Sequence, residues 1–191
     1  MLEAINQLAK EFLKTNKPVR IISHHDTDGI TSAAILATTF KRLDKKFSIK
    51  IVKNLEKETI EQELKRQHEK KEIIIFSDLA SGSLDYFQEL QEPIFILDHH
   101  EINKEKLNDK IKIINPHLFG LGESCTGAGI CYLFSKSISQ ENKDLSKLAI
   151  IGMIGDRHES DISKINQQII NDVEELTIKK GLVIYPATRP L

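Results

Sequence analysis

Apolar positions recur along this chain in two rhythms. Leu2, Ile5, Leu8, Ala9, Phe12 and Leu13 fall at helical spacing, which predicts an amphipathic helix ending before Pro18. "VRIIS" (19–23) then reads as a short buried strand. Helical spacing returns in "GITSAAILATTFKRL" (29–43), through Ile30, Ala33, Ala34, Ala37 and Phe40. "FSIKIV" (47–52) alternates like a strand, "KETIEQELKRQHEKK" (57–71) is a charged helix, and "EIIIFSD" (72–78) is a continuous apolar strand. "SLDYFQEL" (83–90) reads as helical, while "PIFILDHH" (93–100) and "IKIIN" (111–115) supply two more strands. Helices are expected near 125–138 and 144–154, with a polar one near 163–180 before the closing "GLVIYPATRPL" (181–191).

Strands thus alternate with helices, and several strands are apolar and β-branched throughout. That pattern predicts an α/β fold with an open, mostly parallel sheet and helices on both faces. The 191 residues suit one domain, expected over 1–160 including the N-terminal amphipathic helix, with a C-terminal helix and the start of a linker over 161–191. No internal repeat or low-complexity segment interrupts it.

Composition narrows the picture only slightly. A hydrophobic content of 40% suffices for a core, and the formal net charge of −1 gives no overall pull towards polyanions. Cys125 and Cys131 lack a CxxC spacing, so buried free thiols are expected. No apolar run reaches the roughly 18 residues of a membrane span, and "MLEAINQLAKEFLK" has no signal-peptide core. A cytoplasmic location is the expectation.

Chemistry concentrates where the predicted strands end. The first runs into "SHHDTDG" (23–29), the third into "FSD" (76–78) and the fourth into "LDHH" (97–100), while the apolar "LAIIGMIGD" (148–156) delivers Asp156. Ligands of open α/β sheets bind outside the carboxyl ends of the strands. These side chains are therefore expected to converge on one crevice. Mixed Asp and His donors suit a divalent ion such as Mn²⁺, Zn²⁺ or Fe²⁺, and the lack of paired cysteines argues against structural zinc. Asp26, Asp28, Asp78, Asp98 and Asp156, with His24, His25, His99 and His100, are too many for one ion. Two ions about 3.5–4 Å apart, sharing a carboxylate, would use them in phosphoester hydrolysis.

"SHHDTDG", "FSD", "LDHH" and "GMIGD", in that order and each read as following an apolar strand, resemble the four motifs of the DHH phosphoesterases. The fuller wording, "SHHDTDGITSAAIL" with "INPHLFG" and "YPATRPL", most resembles the archaeal RecJ-like branch, whose members are single-strand-specific exonucleases and in several cases associate with the GINS replication complex. The resemblance spans about residues 19–160 and implies a DHH catalytic domain. It also implies roles. His24, Asp26 and Asp78 would hold one ion. Asp28, Asp78, His99 and Asp156 would hold the other, with Asp78 as the bridge. His100 would face the scissile phosphate, and Asp98 would orient a neighbouring histidine from behind the ligands. Gly29 would permit a tight turn into a helix whose N-terminal amides favour anions. His117, Arg157 and His158 are further candidates for substrate contact, although solvated surface positions are the commoner fate of such histidines as His117 and His158.

The implied cofactors are two divalent ions, Mn²⁺ first, with Mg²⁺ or Co²⁺ as alternatives. The implied substrate is single-stranded DNA or RNA, hydrolysed from an end, and a GINS-like complex is the implied protein partner. DHH nucleases usually carry a second substrate-binding domain, which this sequence is expected to lack. Two other readings stand beside the exonuclease: a hydrolase of oligoribonucleotides, cyclic dinucleotides or small phosphoesters, and a non-catalytic replication scaffold. The remaining features read blandly. His25 is expected to point outward and His68 to be solvated. The glycines of "FGLGESCTGAG" (119–129) fit no nucleotide-binding fingerprint and read as a tight connection into a helix that Ser124 or Thr126 could cap. The basic run 41–53 reads as a solvated helix end and strand edge, and no aromatic stacking platform is evident.

Overall fold

The computed structural model describes residues 1–158 and 162–180. Five strands, β1 (Val19–His24), β2 (Phe47–Val52), β3 (Ile73–Ser77), β4 (Ile94–Leu97) and β5 (Ile111–Ile114), form one sheet in the order β2-β1-β3-β4-β5. Every pairing is parallel. The helices are α1 (Leu2–Leu13), α2 (Thr27–Arg42), α3 (Lys57–Lys70), α4 (Gly127–Ile138), α5 (Ser146–Gly155) and α6 (Lys164–Lys180).

Strand alternation divides the core into two layers. Ile73 and Ile75 of β3 face the layer built by α1, α2, α4 and α5, while Ile74 and Phe76 face the layer containing Ile60 of α3. A cluster of rings fills the first: Phe12 stacks on Phe40 at 5.2 Å and meets Phe95 and Phe134 edge-on at 5.8 and 5.7 Å. β3 and β4 are covered on both faces and buried at every position, and all but Ser77 are apolar. β2 lies at an edge, and its alternation leaves Phe47, Ile49 and Ile51 exposed.

The chain leaves β1 for β2 on one side, and β3, β4 and β5 extend the sheet on the other. A crevice opens at such a reversal, outside the carboxyl ends of β1 and β3. Two buried hydroxyls tie its walls together. Ser77 donates to Ser23 Oγ (2.8 Å), and Ser23 donates to the Gly29 carbonyl (2.7 Å), linking β3, β1 and the first turn of α2.

One element differs from the sequence expectation: "SLDYFQEL" falls largely in 3-10 turns over Ser81–Phe87 instead of an α-helix. The helix expected near 144–154 forms as α5, and "LAIIGMIGD" ends it with Asp156 as the C-cap, so the fourth motif follows a helix and not a strand. α5 packs on α2, α4 and α6 through its buried Ala149, Gly152 and Met153, and leaves Ile151 and Ile154 exposed. Cys125 and Cys131 are buried free thiols. "GLVIYPATRPL" lies outside the described residues. Among those described, no helix is long and apolar enough to cross a membrane.

Candidate metal centre

Asp26 has two tasks. Its Oδ1 accepts from Gly29 N at 2.9 Å, capping α2, while Oδ2 lies 2.7 Å from His24 Nδ1. The turn is tight: a Cβ on Gly29 would lie 2.3 Å from the His24 carbonyl oxygen. The other ring nitrogen of His24 is 3.1 Å from the carbonyl of Lys53, the residue after β2, which helps to set this imidazole. In the first turn of α2, Asp28 points inward and is 1% exposed. Its carboxylate is held by the first amides of α4, Gly127 N at 2.6 Å and Ala128 N at 3.0 Å. The positive end of that helix dipole favours an anion there.

Asp78 follows β3 in a left-handed conformation (φ 58°), a geometry that costs non-glycine residues free energy and recurs at functional sites. It is 1% exposed, and neither carboxylate oxygen makes a hydrogen bond among the described residues. His99 is in the same condition. It is 8% exposed, and both ring nitrogens lack a hydrogen-bond partner there. Nε2 lies 3.3 Å from Asp78 Oδ1, 3.2 Å from Asp156 Oδ2 and 3.7 Å from Asp28 Oδ2, aimed among the three carboxylates.

Ligand atoms of His24, Asp26 and Asp78 all lie within 4.8 Å of one another, and so do those of Asp28, Asp78, His99 and Asp156. Asp78 belongs to both groups. The same spacing unites Asp78 with His99 and His100, and His99 with Asp156 and His158. Buried polar atoms are ordinarily paired. The orphaned oxygens of Asp78 and nitrogens of His99, lying among more carboxylates, therefore fit a cationic occupant. Oxygen and imidazole donors together suit a divalent ion.

Electrostatics agree. Burial drives the Asp78 carboxyl up to about 9, and the Asp28 charge adds to the rise. Burial, then the charge of Asp156, raises Asp28 as well. Burial alone would lower His99, but Asp156, Asp78 and the Asp28 charge lift it to about 11. These acids resist ionising together, and a cation among them relieves the repulsion.

Asp98 does something different. Although fully buried, it is held down to about 2, because its bonds to His100 and Ser81 outweigh desolvation. Oδ1 accepts from His99 N and lies 2.8 Å from His100 Nδ1, and Oδ2 accepts from Ser81 N. The histidine it orients is thus His100, whose ring is half exposed at the rim and whose pKa Asp98 raises. A cleft of about 290 Å³ lies beside this rim, lined by His24, Lys53, Leu55, Leu79, Gly82 and His100 among others.

His25, His117 and Arg157 belong to none of these ligand groups. His25 is exposed, with Nδ1 3.1 Å from His24 Nε2. His117 sits half-buried on a 3-10 turn after β5. Arg157 is exposed, in a left-handed conformation (φ 59°). Thr126, not Ser124, caps α4 through Gly129 N. Sequence reasoning missed the glycines that admit the carboxylates. A Cβ on Gly127 would lie 2.6 Å from Asp78 Cβ, and one on Gly152 2.4 Å from Asp28 Oδ1. The signal was present in "TGAG" and "IGMIG", but it becomes readable only once the helices are seen to converge.

Known proteins share this fold. The DHH family, N-terminal domain, matches residues 18–171. An uncharacterized protein of Methanocaldococcus jannaschii is 36% identical over 179 residues, which cover 91% of this chain and 41% of that relative. Among solved structures, exonuclease RecJ bound to manganese superposes with a TM-score of 0.70 at 22% identity, over 90% of this chain and 46% of that one. CDC45 from Entamoeba histolytica gives 0.61 at 18% identity, over 98% and 38%. The chain spans less than half the length of each. With the parallel sheet of the RecJ domain and the family match over most of its length, the chain belongs to the DHH family.

Proposed function

We propose that this chain is a two-metal phosphodiesterase that hydrolyses single-stranded nucleic acid from an end. The observation that carries the reading is Asp78: it belongs to both ligand groups and leaves both oxygens unbonded in a buried setting. His24, Asp26 and Asp78 would hold one divalent ion, and Asp28, Asp78, His99 and Asp156 the other. Bound there, the pair supplies a nucleophile at neutral pH and charge stabilisation for both the attacking and the leaving oxygen. The manganese in the RecJ structures supports Mn²⁺ as the first ion to try, ahead of Mg²⁺ and Co²⁺.

The chain's own residues do the rest. Asp98 and the Ser81 amide fix the His100 ring at the rim, where it donates to a phosphate oxygen or to the leaving group. Asp98 raises the pKa of His100, which favours the protonated ring. The α4 amides hold Asp28 in one orientation, so the ligand set is assembled before an ion arrives. The cleft between Lys53 and Gly82 takes the terminal nucleotide, and the strand runs outward past His100. With a net charge of −1 and no Trp, the chain alone would bind long strands weakly and in a salt-sensitive way.

The test is product analysis on single strands labelled at either end, with Mn²⁺ added. Stepwise release of mononucleotides is expected from the wild type and none from Asp78→Ala. Full activity in that variant would refute the bridge. Faster turnover of dinucleotides than of strands would move the substrate to short oligonucleotides. The likeness to CDC45 supports a second reading, a scaffold in a GINS-like replication complex. Partner retention without hydrolysis under any divalent ion would favour it.

A further inference from the structure

We propose that His158 is an additional ligand of the ion held by Asp28, Asp78, His99 and Asp156, and that Asn166 of α6 positions it. The proposal rests on the dinuclear reading above. It starts from the way α5 ends. Arg157 N donates to the Ile154 carbonyl (3.1 Å) and His158 N to the Met153 carbonyl (2.8 Å), with Arg157 left-handed between them. That is a Schellman termination, in which the residue after the left-handed position folds back against the helix. Asp156 and His158 are thereby carried into the same site on a fixed backbone, although a left-handed arginine is a costly way to build that turn.

The side chains converge as the backbone directs. A ring nitrogen of His158 lies within 4.8 Å of ligand atoms of both His99 and Asp156, and the His99 and His158 rings meet edge-on at 6.2 Å. His99, nine-tenths buried with both nitrogens unpartnered, points into this same space. His158 does not join Asp28 and Asp78 in a single tight group. It is grouped instead with Asp156 and His99.

Asn166 supplies what a ligating histidine requires, a partner for its other nitrogen. It is fully buried, with its amide nitrogen 3.4 Å from His158 Nδ1 and its amide oxygen unbonded. A half-turn of that amide places the oxygen on the Nδ1 proton and leaves the Nε2 lone pair for an ion. The Asn166 backbone is itself fixed, since its main-chain N–H donates to Ser163 Oγ (3.1 Å), whose hydroxyl donates to the Ser124 carbonyl. Two imidazoles on one ion shift its preference from Mg²⁺ towards Mn²⁺, Co²⁺ and Zn²⁺.

The experiment is a Mn²⁺ titration of the full chain followed by EPR, with pulsed detection of the imidazole nitrogens coupled to bound Mn²⁺. Wild type, His158→Ala and Asn166→Ala are compared, and thermal melts without metal confirm that each is folded. Two ions are expected in every protein. In His158→Ala one of them is expected to bind roughly 10–100-fold more weakly and to lose one imidazole coupling, with a smaller loss of affinity in Asn166→Ala. Equal affinities and unchanged couplings in wild type and His158→Ala would overturn the proposal and leave the dinuclear centre standing. Loss of a separate third ion, the other two remaining intact, would also overturn it. A wild type that binds no ion would remove the dinuclear reading and this proposal together.

Discussion

At the scale of single residues, most of the site is legible in the amino-acid sequence. An aspartate or histidine immediately after a β-branched run can be placed at a strand's carboxyl end, and Asp26, Asp78 and His99 follow β1, β3 and β4 in that way. What cannot be read there is who holds the ligands in place. Asp28 is oriented by amides a hundred residues away, and Gly127 and Gly152 matter only because helices pass within contact distance of carboxylates. Gly127→Ala tests this: its Cβ would collide with Asp78. Such crowding is expected to cost about 1–3 kcal/mol of stability and to abolish ion binding, as thermal melts and a Mn²⁺ titration would show. Ala80 offers the opposite case. Its φ of 93° suits glycine, so Ala80→Gly is expected to stabilise the fold by about 1 kcal/mol, read as a raised melting temperature. At the rim, His100→Ala should lower turnover by roughly 10²–10⁴-fold while two ions still bind.

At the scale of elements, the parallel sheet was predictable from strands that are apolar on both faces and α5 from the helix expected near 144–154, whereas the 3-10 turns over Ser81–Phe87 were not readable from "SLDYFQEL". α5 packs on α2, α4 and α6, and α6 is in turn anchored through Asp172, which accepts from Tyr132 Oη at 2.6 Å and pairs with Lys136 and Lys143. Those lysines and the tyrosine hold Asp172 below the usual carboxylate range, outweighing its burial. Asp172→Ala would leave the buried Tyr132 hydroxyl without its acceptor. The expected cost is about 1–3 kcal/mol, measured by chemical denaturation. Because α6 also carries Asn166, the same variant should weaken ion binding slightly.

At the scale of the whole molecule, the centre is a local concentration of negative charge in a chain that is nearly neutral, so stability and ion binding are linked through pH. Asp78 in the folded state holds its proton up to about 9, and His99 up to about 11, against roughly 3.9 and 6.5 for the unfolded chain. Between about pH 6.5 and 9 the folded protein therefore binds more protons than the unfolded one, and stability without metal falls as pH rises. Divalent ions held there would reverse the sign of the problem. They would replace the protons, and their apparent affinity is expected to climb over the same range. Melting curves from pH 6.5 to 9, with and without Mn²⁺, should diverge steadily; parallel curves would contradict the linkage.

Anomalous diffraction from Mn²⁺-loaded crystals tests the dinuclear centre most directly. Two peaks about 3.5–4 Å apart with an Asp78 oxygen facing each are predicted. A single peak, or peaks that do not contact Asp78, would contradict the account.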